Sequence, residues 1–393
     1  MHVLHYIENF LDPIGGGPIF VRGLTHHLQK YGIDQSVITD SKFQKTEITQ
    51  IDNVAVFSLP TRRLGYYTIL SGLFNVLKNG TFDVINIHGF GTYIGDVVCI
   101  LKKLGLLHVP LVLTTHGIGG LKFGYLALDF SVPFTLKRRI RGLVHHFFHD
   151  LTLGRLDMNT FDKVIFLSEE ERKYLSKLGL KNEKSVKIPI AINEIFFNST
   201  SIVPTPNRDY ILYVGRIDPY KGLDTLVKAI KELRLANVNL KCIIIGKDCG
   251  YVSQLESLIN QLGIADLIEI KDYISQENLL QIYSFALVTI LVSESEGFPL
   301  ALVESVASGT PFIATPVGAI PELVDLTKAG ILVPIDDPKA LARTIRSLLE
   351  DKDLFIRLST NGKNSVTNFT WENIAKRYYE VYLDVINNNQ DSN

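Results

Sequence analysis

Tyr210-Ile211-Leu212-Tyr213-Val214-Gly215-Arg216-Ile217-Asp218-Pro219-Tyr220-Lys221-Gly222 is the stretch on which the fold turns. A run of apolar, β-branched and aromatic residues is cut by Gly215, passes through a loop holding Pro219 and ends at Gly222, where a helical pattern begins. That order is one strand, one loop and one helix of a βα unit. The same alternation extends outward in both directions, with strands expected at 2–7, 36–39, 54–58, 83–87, 111–115 and 163–167 before it. Further strands are expected at 240–245, 267–270, 287–291 and 312–315 after it. Continuous apolar runs such as Leu111-Val112-Leu113 and Cys242-Ile243-Ile244-Ile245 suit strands covered by helices on both faces. The fold class is therefore α/β, with doubly wound parallel sheets.

The chain has 393 residues, enough for two domains at ~100–200 residues each. The polar stretches Asn198-Ser199-Thr200-Ser201 and Pro204-Thr205-Pro206-Asn207-Arg208 mark a linker. The expected division is 1–195, a first Rossmann-like domain; 196–209, linker; 210–370, a second Rossmann-like domain; and 371–387, a helix crossing back to the first domain. The last residues, from Asn387 on, are expected to fray. Ligands of open α/β sheets lie beyond the carboxyl ends of the strands, so two such domains facing across a cleft would hold theirs in that cleft.

Composition narrows the function. Lys+Arg 40 against Asp+Glu 41 leave a net charge of −1, which gives no global field to attract nucleic acid. Cys99, Cys242 and Cys249 form no CxxC pair, so neither a disulfide framework nor a structural zinc site is expected and a reducing, cytoplasmic setting fits. The amino terminus has no basic n-region, and the longest apolar stretch, Tyr283 to Val292, is far shorter than the ~20 residues of a spanning helix. The sequons at Asn79, Asn198 and Asn368 carry no weight in that setting.

Three segments carry chemistry. Asp12-Pro13-Ile14-Gly15-Gly16-Gly17-Pro18 follows the first strand and enters a helix with Phe20, Leu24 and Leu28 on one face. Its glycines allow backbone N–H groups close to a phosphate, and they suit a tight turn equally well. Arg216 and Lys221 stand just past the strand 210–214, where a diphosphate would find both charge and fork geometry; a solvated loop is the plain alternative. The sharpest signal is Ser293-Glu294-Ser295-Glu296-Gly297-Phe298-Pro299-Leu300-Ala301-Leu302-Val303-Glu304. Pro299 suits a first helical turn and Gly309 its stop, which places Glu296 in a loop and Glu304 on a helix, with seven residues between them. The amino end of that helix, from Phe298 to Leu300, offers free N–H groups to sugar hydroxyls or phosphate oxygens. Ala307, Gly309 and Pro311 point to close packing around Glu304.

Gly15-Gly16-Gly17, Thr115-His116-Gly117, Val214-Gly215-Arg216 with Lys221-Gly222, Glu296-Gly297-Phe298 with Glu304, and Gly309-Thr310-Pro311 resemble the retaining glycosyltransferases of the GT-B type, in particular the group 1 or GT4 family. The resemblance implies a hexosyltransferase of glycan biosynthesis that uses a nucleotide-diphosphate sugar as donor substrate, with no cofactor and no metal. By the same resemblance, Gly16 and Gly17 lie near the donor diphosphate and His116 borders the sugar. Gly215, Arg216 and Lys221 meet the phosphates, while Glu296, Gly297, Phe298, Pro299 and Leu300 surround the donor sugar. Glu304 holds the ribose, and the backbone at Ile274 reads the base. Two departures stand out: Val292-Ser293 where the family often has Pro-Ser, and Glu304-Ser305 where it often has Glu-Ala. The expected reaction is anomeric transfer with retention to a hydroxyl of a sugar, glycan or lipid-linked acceptor. Two rivals keep the architecture: a non-hydrolysing sugar-nucleotide epimerase and a non-catalytic subunit.

Other signals point elsewhere. His145, His146 and His149 include one helical four-residue spacing but read as a helix face, and Asp351-Lys352-Asp353 as a helix-start turn. Lys137, Arg138, Arg139 and Arg141 precede Leu143-Val144 and Phe147-Phe148, a basic, aromatic-bearing helix. It fits an anionic membrane surface, with the protein peripheral at the cytoplasmic face, as well as it fits a solvated helix.

Overall fold

The computed structural model describes residues 1–11, 16–41, 45–64, 67–117, 146–198, 210–272 and 274–390. The chain forms two units, Met1–Ala191 with Trp371–Asn393, and Ile192–Thr370.

The first unit carries β1 (His2–Tyr6), β2 (Asp34–Ser41), β3 (Glu47–Ile51), β4 (Val54–Leu64), β5 (Tyr67–Leu70), β6 (Val84–His88), β7 (Leu111–Thr114), β8 (Lys163–Phe166) and β9 (Ser185–Lys187). They form one sheet in the order β3-β4-β2-β1-β6-β7-β8-β9, with β5 on β4. Only β3 and β5 run antiparallel to their neighbour. One face is wholly apolar: Leu4, Tyr6, Ile85, Ile87, Leu111, Leu113, Val164 and Phe166 are buried together. The opposite residues of the same strands, His5, Asn86, His88 and Thr114, form a buried polar stripe. Asn86 Nδ2 donates to the Tyr382 hydroxyl of the helix Trp371–Gln390 at 2.7 Å, so that helix covers this face. Gly23 on the helix Gly16–Leu28 is needed where the two helices meet, because a Cβ there would lie 2.1 Å from the Trp371 ring.

The second unit carries β10 (Tyr210–Val214), β11 (Lys241–Ile245), β12 (Ile268–Lys271), β13 (Val288–Leu291), β14 (Phe312–Ala314) and β15 (Gly330–Leu332). All pairs are parallel, in the order β12-β11-β10-β13-β14-β15. This is the doubly wound order in which the chain reverses direction across the sheet between its first and fourth strands, here β10 and β13. A crevice opens beyond the carboxyl ends at such a switch point.

Three expectations need correction. The second unit begins at Ile192, not at Tyr210, because Ile192 and Phe196 are buried in its core and Glu194–Asn198 form a short 3-10 turn against it. Asn387 to Gln390 continue the last helix, held by Asn388 Nδ2 on Asp384 at 3.1 Å and Asn389 Nδ2 on the His108 carbonyl at 3.3 Å. Strands β3, β5, β9 and β15 were not expected; three of them are sheet edges and all are short, which leaves little apolar pattern to read. Asp351 does cap a helix start, accepting from Leu354 N at 2.8 Å. Among the described residues no helix is long and apolar enough to cross a membrane. The basic run Lys137, Arg138, Arg139 and Arg141, and Gly15, lie outside the described residues.

Candidate active site

The switch point of the second unit brings together segments far apart in sequence. After β10, Gly215 N donates to the Ile245 carbonyl at 3.0 Å and the Tyr213 hydroxyl donates to the Arg216 carbonyl at 2.7 Å. The backbone is thereby fixed while the Arg216 side chain stays 66% exposed, its guanidinium 3.3 Å from Asp218. The loop closes in a 3-10 turn, Pro219–Lys221, capped by the Asp218 carboxylate on Tyr220 N at 3.0 Å. Gly222 then takes a left-handed conformation, and a Cβ there would come 2.0 Å from the Val292 carbonyl oxygen.

After β13 the acidic loop crosses this turn. Glu294 N donates to the Tyr220 carbonyl at 3.0 Å, and the Thr315 hydroxyl donates to the Ser293 carbonyl at 2.6 Å. Gly318, also left-handed, lies under the loop where a Cβ would meet the Glu296 carbonyl oxygen at 2.1 Å, and Ala319 N donates to the Gly297 carbonyl at 3.3 Å. So fixed, Glu296 places its Oε1 2.6 Å from Lys221 Nζ and accepts from the Ser293 hydroxyl at 2.7 Å. The two charged side chains are only 14% and 10% exposed, a paired cation and carboxylate in a largely dry place.

The helix Leu300–Ala307 follows, with Pro299 as its cap and not in its first turn. Leu300 N is already bonded to the Phe298 carbonyl at 3.1 Å, so the N–H group expected free at Leu300 is occupied. Glu304, one helical turn and more inside, is only partly exposed and accepts from the Tyr283 hydroxyl at 3.1 Å. Burial raises its carboxyl to about 7, against the lowering effect of that hydrogen bond. Ser305, where an alanine was the family expectation, is buried but satisfied: its hydroxyl is 2.7 Å from Thr289 Oγ1 and 3.0 Å from the Thr310 carbonyl. Gly309 ends the helix in a left-handed conformation, as the sequence suggested. Ile274 stands three residues past β12 and directly before the Ser275 cap of the helix Gln276–Phe285, its side chain packed on the core.

In the first unit, Gly16 and Gly17 form the first turn of the helix Gly16–Leu28, where a loop was expected, and a Cβ on Gly17 would sit 3.8 Å from the His116 ring. His116 stands two residues past the end of β7 at Thr114, with a left-handed φ of 53° that is uncommon for a residue with a side chain. Its Nε2 lies 2.8 Å from His88 Nδ1. Burial lowers His116 to about 4, so the ring is neutral at ordinary pH.

Comparison with known proteins bears directly on this arrangement. The family model described as glycosyl transferases group 1 matches residues 196–365, and that described as glycosyltransferase family 4 matches residues 14–194. A D-inositol 3-phosphate glycosyltransferase of Corynebacterium urealyticum is 32% identical over 392 residues, covering 94% of this chain and 90% of its own. The chain belongs to the group 1 glycosyltransferases. An uncharacterised glycosyltransferase of Methanocaldococcus jannaschii is 28% identical over 381 residues, 95% of each chain. Among solved structures, sucrose-phosphate synthase from Thermosynechococcus elongatus superposes with a TM-score of 0.77 at 24% identity, covering 98% of both chains. Anabaena HepE in complex with UDP superposes with a TM-score of 0.74 at 17% identity, covering 98% of this chain and 100% of its own. The fold of this glycosyltransferase is thus GT-B, and the epimerase and non-catalytic rivals give way to a transferase.

Within the glycosyltransferase, Gly215, Arg216, Lys221, Glu296, Gly297 and Glu304 belong to neighbouring segments of one sheet end, and Gly16, Gly17 and His116 to another. Sequence reasoning treated Lys221 and Glu296 as independent groups and missed their pairing. It also missed Ser293, Tyr283 and Gly318 as supports, although the Ser293 signal was present immediately before the acidic loop.

Proposed function

We propose that this glycosyltransferase moves a hexose from a nucleotide-diphosphate sugar to a hydroxyl acceptor with retention of anomeric configuration and without a metal ion. The observation that carries the reading is the Lys221–Glu296 pair at the β10/β13 switch point, with the exposed Arg216 on the same loop. A departing nucleoside diphosphate develops negative charge, and Arg216 and Lys221 supply fixed positive charge where a metal would otherwise be needed. As the bond from the anomeric carbon to the phosphate oxygen breaks, the acceptor oxygen bonds to that carbon on the same face. Its proton passes to the leaving phosphate oxygen. Glu296, held by Lys221 and Ser293, orients the sugar with Gly297, Phe298, Pro299 and Leu300, and does not act as a nucleophile. Glu304 accepts from the ribose hydroxyls, the backbone at Ile274 meets the base, and Gly215 lets the chain approach the phosphates. In the first unit, Gly16 and Gly17 are assigned to the diphosphate and His116 to the sugar.

Relatives named D-inositol 3-phosphate glycosyltransferase make a phosphorylated polyol the first acceptor to try, and the HepE complex with UDP-glucose makes that donor the first of a panel with GDP- and ADP-sugars. The test is incubation with each pair in EDTA, followed by proton NMR of the product's anomeric signal. An α-linked product from an α-donor supports the reading; a β-linked product overturns retention, and loss of transfer restored only by a divalent cation overturns metal independence. The run Lys137, Arg138, Arg139 and Arg141 suits an anionic membrane surface and a solvated helix equally, and sedimentation with anionic vesicles decides whether a lipid-linked acceptor is tried next.

A further inference from the structure

Four neighbouring strands of the first unit, β2, β1, β6 and β7, carry a line of polar side chains at or just beyond them: the buried Gln35, His5 and His88 and the half-buried His116. His5 Nδ1 lies 3.0 Å from His88 Nε2, and His88 Nδ1 lies 2.8 Å from His116 Nε2. A contact between two neutral imidazoles needs one N–H and one lone pair, so the direction of the whole line follows from either end.

The end at Gln35 decides it. Its Nε2 donates to the Thr25 carbonyl at 2.7 Å, which only the amide nitrogen can do, so the group it turns to His5 is the oxygen. Gln35 Oε1 and His5 Nε2 are both buried and neither makes a hydrogen bond of regular geometry to any described group, while the Gln35 side chain, on the adjoining strand, is a polar neighbour of the His5 ring. An oxygen facing His5 Nε2 requires a proton on that nitrogen, which leaves Nδ1 as an acceptor. His88 must then donate from Nε2 and accept at Nδ1, and His116 must donate from Nε2. The far end is His116 Nδ1, buried, without a partner among the described residues and, by this logic, a bare lone pair. Desolvation keeps the rings uncharged, His5 falling to about 3 and His88 well below its ordinary value. His116 is therefore too weak a base to take a proton and is suited to receiving a hydrogen bond.

We propose that Gln35 is a positioning residue which, through His5 and His88, holds His116 in its Nε2–H tautomer, so that Nδ1 accepts a hydrogen bond from a substrate hydroxyl. The functional half of this statement rests on the assignment of His116 to the sugar; the tautomer half does not. A site built this way discriminates against a sugar lacking that hydroxyl, because the buried lone pair would be left unsatisfied.

Side-chain 15N NMR of the full chain labelled at histidine tests the tautomers at pH 7.5. His5, His88 and His116 are expected neutral, each protonated at Nε2, and an Nδ1–H form of His116 overturns the proposal whatever the enzyme's substrates are. Gln35→Met, which removes the oxygen, is expected to introduce the Nδ1–H form of His116 and lower kcat/KM about tenfold. Gln35→Glu, neutral when buried, donates to Thr25 and accepts from His5 in the same sense and is expected to restore both. Unchanged kcat/KM in Gln35→Met, with the Nδ1–H form present, overturns the positioning role. Absence of sugar transfer by the wild-type chain with all three Nε2–H signals intact overturns the assignment of His116 to the sugar and leaves the tautomer assignment supported.

Discussion

Lys221 Nζ and Glu296 Oε1 lie 2.6 Å apart, joining a turn after β10 to a loop after β13 across 75 positions of sequence. Neither charge is well solvated, so each depends on the other. Lys221→Met and Glu296→Gln are each expected to destabilise the second unit by about 3 kcal/mol, while the double variant costs less than the sum. Urea denaturation of the four proteins checks this. Each single variant is also expected to lose turnover on the order of a hundredfold, because in the proposed reaction a charge aimed at the reacting groups is gone.

Glu304 titrates near neutrality because burial disfavours its charged form, and a carboxylate binds two ribose hydroxyls better than a carboxylic acid does. With Glu304 assigned to the ribose as proposed, donor binding takes up the deprotonated form. KM for the donor is expected to rise as pH falls through about 7, and to lose this dependence in Glu304→Gln. Tyr283→Phe removes the hydrogen bond that lowers the carboxyl and is expected to move the midpoint upward. Initial rates between pH 5.5 and pH 8.5 (about 1.5 units to either side of that midpoint) measure both.

Gly222 and Gly318 support the acidic loop from two sides, each with a positive φ and each within van der Waals range of a loop carbonyl. Gly222→Ala would press on the Val292 oxygen and Gly318→Ala on the Glu296 oxygen. Both are expected to weaken donor binding at least tenfold, since the Lys221–Glu296 geometry shifts with the loop, and to cost more than ~1 kcal/mol of stability. Calorimetric titration with nucleoside diphosphate and thermal melts separate the two effects.

His149 in the first unit is held between Asp96, 3.3 Å from its Nε2, and Asp150, 3.2 Å from its Nδ1, with Asp157 beside it. Burial alone would lower its pKa, but hydrogen bonds to Asp150 and Asp96 raise it to about 9. Asp157, raised to about 8 by burial and by Asp96, also binds its proton more tightly in the folded state. A raised folded pKa gives stability that is full below the unfolded value and lost as pH rises through the folded one. The losses overlap, so the melting temperature is expected to fall from pH 6.5 to about 9, with a shallower slope in His149→Gln.

The parallel βα architecture was legible from sequence because each buried strand is a local event: Ile211-Leu212-Tyr213 or Leu111-Val112-Leu113 needs no distant partner to be recognised as apolar and extended. Edge strands such as Glu47–Ile51, almost wholly exposed, give no such signal. In the candidate site, Glu296, Gly297 and Glu304 were legible for the same reason, since one loop and the first turns of one helix contain them. The partners they acquire were not. Lys221 reaches Glu296, Tyr283 reaches Glu304, and His5, His88 and His116 line up only because parallel strands distant in the chain sit side by side in one register. The sequence by itself determined which segments are strands and which residue types stand at their ends. Tertiary structure decided which charges pair, which carboxyl stays near neutrality and which imidazole nitrogen is bare, because each depends on burial and on neighbours that only strand pairing supplies.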